Sequence, residues 1–487
     1  MKRDLGALSG REHDLAIVGG GIHGAAAAWD AAQRGLRVAL IEARDFGSGA
    51  SWNSLKTIHG GLRHLRRADV ASLRDSARER SALLRIAPRL VRPLPCLVPA
   101  YGHGPSGREA LGIALLLNDI LTRDRNREVP SQGHIPRGRL LSRGEVLDRV
   151  PGIEPRGLTG GALWYDAQAE STERLTLAFV LAAADAGAVV VNHAQVTGLP
   201  RSGGRVTGVS VRDAESDGGF EVRARMVLNA AGPGASRLLA EAGLAHSPVP
   251  LLRAINLVLR RPVVREQAVG GRGEGRFLFL APWRDRALVG TGYEPSQPGT
   301  GAAFAEAFLA EAQRAYPWAG LTRDDVTLVH QGLVPGAGSA DGLWMKPLVV
   351  DHQRQDGLPG LITMVGVKYT TARSVAQRAI DLVLRRLGSP MVPCHTAVSP
   401  LPAACALAGS IEERTRLAVR EEMALHLEDA VLRRLDLGTG GPPSAAEVAE
   451  VERVMATELG WDEARRRAER VFLGRLYGLS GEQPGVR

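Results

Sequence analysis

Cysteine is scarce in this chain: Cys96, Cys394 and Cys405 lie far apart with no C-x-x-C pair. That argues against a disulfide framework or a cysteine-held zinc and predicts a reducing, cytoplasmic setting. No apolar run approaches the roughly 18 uninterrupted residues of a membrane-crossing helix. Met1 to Arg11 lacks the apolar core of a secretory signal, so membrane contact is expected to be peripheral at most. His13, His103, His134, His193, His246, His352, His395 and His426 show neither H-x-x-x-H nor mixed Cys/His spacing, and no metal is expected. Excess charge is modest, 61 Lys+Arg against 52 Asp+Glu for a net +9. Such a charge attracts nucleic acid, anionic lipid or an anionic substrate. The arginines alternate with acids, as in Arg74-Asp75-Ser76-Ala77-Arg78-Glu79-Arg80, which is the pattern of a solvated helix face, so nucleic acid is not an expected partner. What remains is 487 residues with 44% hydrophobic and 23% charged content, which fits a globular enzyme of several domains.

The order of elements is most legible at the start. Asp14-Leu15-Ala16-Ile17-Val18 reads as a strand, Ala25 to Arg34 as an Ala-rich helix closed by Gly35, and Arg37-Val38-Ala39-Leu40-Ile41 as a second strand ending at Glu42. Residues 69–87 read as an amphipathic helix, after which Pro88, Pro93, Pro95 and Pro99 break the chain. Residues 105–158 read as a mostly helical insertion. Leu175 to Ala186 predicts a helix, and Met226 to Gly232 a strand entering a glycine turn. Short β signals at 257–259 and 287–290 and one helix near 302–315 suit a sheet domain. Leu361 to Val365, Gly366 and a helix from about Thr371 repeat the opening order. Beyond Pro400 the pattern is helical, with a capping box at Ser444-Ala445-Ala446-Glu447 and Asp462 as an N-cap.

Gly19-Gly20-Gly21-Ile22-His23-Gly24 places G-x-G-x-x-G between strand and helix. Gly19 turns the chain, Gly21 lets backbone approach a pyrophosphate at the helix N-terminus, and Gly24 lets helix pack on sheet. Glu42, ending the next strand, suits ribose hydroxyls. These residues alone leave FAD and NAD open, since both carry an ADP half. The late strand, glycine and helix at Gly366 favour FAD, whose flavin end needs a second helix N-terminus facing N1 and O2.

Lys56-Thr57-Ile58-His59-Gly60-Gly61-Leu62-Arg63 resembles the FAD-dependent glycerol-3-phosphate dehydrogenase/oxidase family. So do Asp30 to Leu36, Asn229-Ala230-Ala231-Gly232-Pro233, Pro282-Trp283 with Gly290-Thr291, Gly366-Val367-Lys368-Tyr369-Thr370-Thr371-Ala372-Arg373, and the helical stretches at 421–424 and 428–434. The resemblance runs from about Asp14 to about Leu437. It implies an α/β fold: an FAD-binding Rossmann-like domain of the glutathione reductase/D-amino acid oxidase type (14–95, 159–245 and 336–390), a β-sheet substrate domain (96–158 and 246–335) and a helical C-terminal domain (391–487). It further implies oxidation of a secondary alcohol, sn-glycerol 3-phosphate, with hydride passing to flavin N5 and electrons to quinone or oxygen. A homodimer and a place on the inner face of the membrane accompany it.

Carried onto this chain, the resemblance assigns Gly19, Gly21, Gly24, Glu42, Ser51, Ser54, Lys56, Gly232, Gly366, Lys368 and Thr370 to the cofactor. His59, His64, Arg63 and Lys368 become catalytic candidates. Ser51 and Ser54 are expected along the isoalloxazine edge. His59 and His64 serve either as bases or as structural histidines, and Arg373 as an ion-pair partner. His330 and Gln331 are candidates to line the pocket, and Trp164-Tyr165-Asp166 is expected to cap a helix. The substrate positions depart from the family. Val334 stands where an arginine is usual, Arg253-Ala254-Ile255-Asn256 replaces lysine-glycine-serine-histidine, Lys346 lies near another usual arginine, and His64 replaces a tyrosine. Losing a forked guanidinium costs about 1.5–3 kcal/mol of charged hydrogen bonding, which Lys346, Arg253 and Arg63 are placed to offset. Three readings follow: a glycerol-3-phosphate dehydrogenase, an enzyme for another hydroxy or amino substrate, and a flavoprotein without turnover.

Overall fold

The computed structural model describes residues 1–104, 107–244, 250–295, 301–336, 346–402 and 409–477. Cys405 and His246 lie outside the described residues. Two sheets organise the chain. In the first, Leu348–Asp351, Leu361–Val365, Gly219–Asn229, His13–Val18, Val38–Ile41 and Val189–Val191 lie side by side in that order. All neighbours are parallel except the edge strand Leu348–Asp351. The inner strands are covered on both faces, which is why they read as unbroken apolar runs. On one face the helices Ile22–Gln33, Thr172–Asp185 and Ala372–Leu387 pack together. Ala25 to Ala28 let their backbones close in, and buried Trp29 meets Phe179 edge-on at 5.5 Å. Truncating such a tryptophan costs about 3–5 kcal/mol.

The second sheet orders Val326–Pro335, Leu251–Leu259, Arg286–Pro295, Phe277–Trp283, Ala268–Arg272, Val91–Tyr101, Leu158–Ala169 and Thr57–Ile58. The helix Gly301–Ala315 buries Ala305, Phe308, Leu309 and Ala312 against it. This membership corrects the expected boundaries: residues 57–58, 91–95 and 159–169 pair in the second sheet, not the first. Pro93, Pro95 and Pro99, read as a break, sit inside the strand Val91–Tyr101. All three share one parity, so the missing donors fall along one side of the strand. The ladder to Leu158–Ala169 therefore stays continuous from Val91 to Tyr101.

Among the described residues beyond 409 lie four helical pieces: Ile411–Glu422, the π-turn Asp429–Arg434, Ala445–Leu459 and Glu463–Gly474. Ser444 with Glu447 forms the expected capping box, and Asp462 caps the last helix. Buried ion pairs fasten this region to the first sheet. Asp45 accepts from Arg433 at 2.5 Å and from Arg434 at 2.8 and 2.7 Å, while Arg174 forks onto Glu422 at 2.7 and 2.8 Å. His193, Glu215 and His426 also converge there. Burial opposes charge on His426, but Glu215 and Glu469 on its two nitrogens push it up to about 10, so it stands as a cation within the ion-pair network.

Candidate active site

The nucleotide end is built by side chains that are not there. A Cβ on Gly24 would sit 1.8 Å from the Gly19 carbonyl oxygen, and one on Gly20 would sit 2.6 Å from Phe46. Gly19 itself turns at φ +107°, where a Cβ would strike the backbone of Ala230. The Glu42 carboxylate accepts from the Gly20 amide at 2.6 Å and the Arg44 amide at 2.9 Å, so the acid that ends the second strand also braces the glycine loop. Ser51 accepts from the Ile22 amide at 3.0 Å, at the positive end of the fingerprint helix. Its hydroxyl thus lies at the N-terminus of the fingerprint helix. Gly232, at φ +55° after the strand Gly219–Asn229, opens onto space with nothing within 4 Å of an added Cβ.

The fingerprint and the late loop meet face to face. A Cβ on Gly366 would lie 1.8 Å from His23 Nε2, so only glycine lets the ring pack against this loop. His23 Nε2 is buried and has no hydrogen-bond partner among the described residues, and burial pushes the ring down to about 4. An unpartnered buried ring nitrogen and a glycine-walled cradle between the fingerprint and the late loop fit FAD: Gly19 to Gly24 and Glu42 would hold its ADP half, and the Gly366 to Thr370 loop its flavin end.

Around the late loop the structure gathers several expected residues. Thr370 accepts from the His59 amide at 3.1 Å, and Lys368 Nζ donates to His64 Nε2 at 2.8 Å. Burial, then the charges of Lys368 and Arg63, push His64 down to about 4. His64 is therefore a neutral acceptor for the lysine and not a base titrating near neutral pH. Burial, then Arg63, lowers Lys368 to about 8. Arg63 and Lys346 are both exposed, and Lys346 lies within electrostatic reach of Asp69, the carboxylate below His64. His59, its side chain 33% exposed, binds Asp166 through Nδ1 at 3.1 Å.

Other expectations change. Lys56 is no cofactor ligand through its side chain. Its ammonium is fully buried on Glu173 at 2.5 Å, Thr172 and the Trp52 carbonyl. Ser54 accepts from the Lys56 amide and serves that turn. His330 does not line a pocket: it is wholly buried between Trp52 and Trp283 and pushed down by burial to about 3. Arg373 forks onto Glu79 at 2.9 and 2.5 Å, an ion pair as expected. Among the substrate candidates, Arg253 contacts Glu294 at 3.3 Å and Gln331 at 3.4 Å. Asn256 is buried and accepts from Thr291 at 2.8 Å, and Val334 pairs with Leu252 in the ladder.

Trp164-Tyr165-Asp166 caps no helix; it lies within the strand Leu158–Ala169. The contacts of Asp166 were hidden in the sequence, because its partners His59, Gly60 and Arg80 lie 107, 106 and 86 residues away. The local signal was a single acid in an apolar strand.

Residues 14–381 match the model of the FAD dependent oxidoreductase family, and residues 406–466 match the C-terminal domain of alpha-glycerophosphate oxidase. A glycerol-3-phosphate dehydrogenase of Synechocystis is 33% identical over 84% of this chain and 77% of its own length. One from Mycobacterium leprae is 31% identical over 92% and 85%. The solved glycerol-3-phosphate dehydrogenase of Bacillus halodurans, complexed with FAD, superposes with a TM-score of 0.76 over 99% of this chain and 98% of that one at 23% identity.

Proposed function

Since the chain belongs to the FAD-dependent glycerol-3-phosphate dehydrogenase/oxidase family and is an FAD-dependent oxidoreductase, we propose that it oxidises the C2 hydroxyl of sn-glycerol 3-phosphate to the ketone of dihydroxyacetone phosphate. The observation that carries this reading is the gathering of Lys368 and Arg63 around His64, with Lys346 within electrostatic reach of neighbouring Asp69, next to the loop that holds His59. A phosphate monoester, doubly ionised above about pH 6, calls for such cations. FAD, when bound, supplies the acceptor for the hydride on C2. His59 takes the hydroxyl proton on Nε2, Lys368 and Arg63 hold the phosphate, and neutral His64 keeps the ammonium in place.

Electrons pass on to quinone or oxygen. No described helix is long and apolar enough to cross a membrane. Peripheral contact is supported by the helix Arg108–Leu121, where Ile113, Leu116, Leu117 and Ile120, 44–61% exposed, share one face. Exposed Arg123 and Arg137 border Leu116 and Ile120. An anionic lipid surface offers acyl chains and phosphates side by side, whereas a second copy would set these arginines against each other.

A second reading, a different hydroxy or amino substrate, is favoured by Val334 and by the engagement of Arg253 with Glu294. Anaerobic addition of glycerol 3-phosphate decides between them. Rapid bleaching of the oxidised flavin band supports the first reading, and Val334→Arg should then lower the substrate requirement about 10- to 150-fold. Bleaching only with unphosphorylated alcohols or amines supports the second.

A further inference from the structure

Resting on the reading of His59 as the base, we propose that Asp166 is its positioning residue: it fixes which ring nitrogen is bare and steadies the imidazolium once the proton arrives. The strand Leu158–Ala169 carries Asp166 from the second sheet to the loop at His59, and its side chain is 8% exposed. Oδ2 accepts from His59 Nδ1 at 3.1 Å, while Oδ1 accepts from the Gly60 amide at 2.6 Å and from Arg80 at 3.3 Å. Burial pushes this carboxyl up, but the His59 ring, Arg80 and the Gly60 amide outweigh it and hold it below the usual range. An ionised carboxylate only accepts hydrogen bonds, so the proton of neutral His59 sits on Nδ1 and Nε2 keeps its lone pair.

Arg80 completes the arrangement. It is buried, donates also to the Tyr165 carbonyl at 2.7 Å, and counters the Asp166 charge. Its approach depends on Gly60, where a Cβ would sit 2.0 Å from the guanidinium. When Nε2 receives the substrate hydroxyl proton, the ring becomes a cation 3.1 Å from a buried anion, an interaction stronger in the charged state than in the resting one.

Asp166→Asn tests this because the amide has one accepting and one donating end. Its oxygen must stay with the Gly60 amide and Arg80, both donors, so its NH2 faces His59 Nδ1. That forces the ring proton onto Nε2, the nitrogen that must be bare. Two readouts on the FAD-loaded protein are needed. Long-range 15N spectra of labelled histidine, with His59→Gln for assignment, should show His59 moving from Nδ1–H to Nε2–H in Asp166→Asn. Stopped-flow reduction at saturating substrate should slow about 100-fold or more with substrate Kd unchanged, and Asp166→Glu should recover part of the rate. An unchanged tautomer overturns the proposal. So does a normal reduction rate in Asp166→Asn when His59→Gln is slow. If His59→Gln reduces at the normal rate, the base reading falls and the tautomer alone decides: a flip upholds the positioning by Asp166, and no flip overturns it.

Discussion

Raising the pH past about 8 should strip the site of one cation. Lys368 is lowered to about 8, chiefly by burial and then by Arg63, while its neighbour His64, down to about 4, is already neutral. Below about pH 7 the ammonium is almost fully present and substrate binding should be flat. At pH 9 only about one molecule in eleven keeps it, so apparent Kd should rise about tenfold, and at pH 8.5 about fourfold. The substrate phosphate does not titrate in this range, its second pKa lying near about 6. Kd would be taken from the concentration dependence of anaerobic flavin bleaching between pH 6.5 and 9.5. Lys368→Arg keeps its charge throughout and should abolish the rise; Lys368→Met should bind more weakly at neutral pH with no rise. A flat wild-type profile to pH 9.5, or the same rise in Lys368→Arg, would refute the reasoning.

Two further expectations concern parts remote from the chemistry. Asp45→Ala removes the buried carboxylate shared by Arg433 and Arg434 and should cost about 3–5 kcal/mol. With an unfolding entropy near about 1 kcal/mol/K for 487 residues, calorimetry should show Tm falling by about 3–5 °C; a change under 1 °C would mean the pair is not a fastening. Replacing Ile113, Leu116 and Ile120 together by Gln should abolish co-sedimentation with phosphatidylglycerol vesicles and leave flavin reduction untouched. Persistence of sedimentation would discount that helix as the lipid contact.

What could be read from the residues alone was whatever is local in sequence. The fingerprint from Gly19 to Gly24, its strands and Glu42 fall within 30 consecutive residues, and each piece constrains the next through backbone geometry. Capping at Ser444 and Asp462 was legible for the same reason. Long-range electrostatics was not. Lys56 looks like a cation in a glycine-rich loop, and only the fold reveals Glu173, 117 residues on, buried beside it with Ser171 and Thr172. Asp166 and Arg80 were hidden likewise, since nothing in a strand sequence tells which loop its inward acid will reach. The prolines of Val91–Tyr101 misled because their breaking effect depends on which side of a strand carries the partners, a property of the sheet.

The contact between His23 and Gly366 has a consequence for biosynthesis. The two walls of the cradle are about 340 residues apart in the chain, and the strand Leu361–Val365 joins the sheet between Leu348–Asp351 and Gly219–Asn229, the latter itself beside His13–Val18. At about 5–20 residues per second, the ribosome needs about 17–70 s after making the fingerprint to deliver the late loop. Throughout that interval the nascent chain carries an open half-cradle, and tight capture of FAD should wait until the late loop has been made.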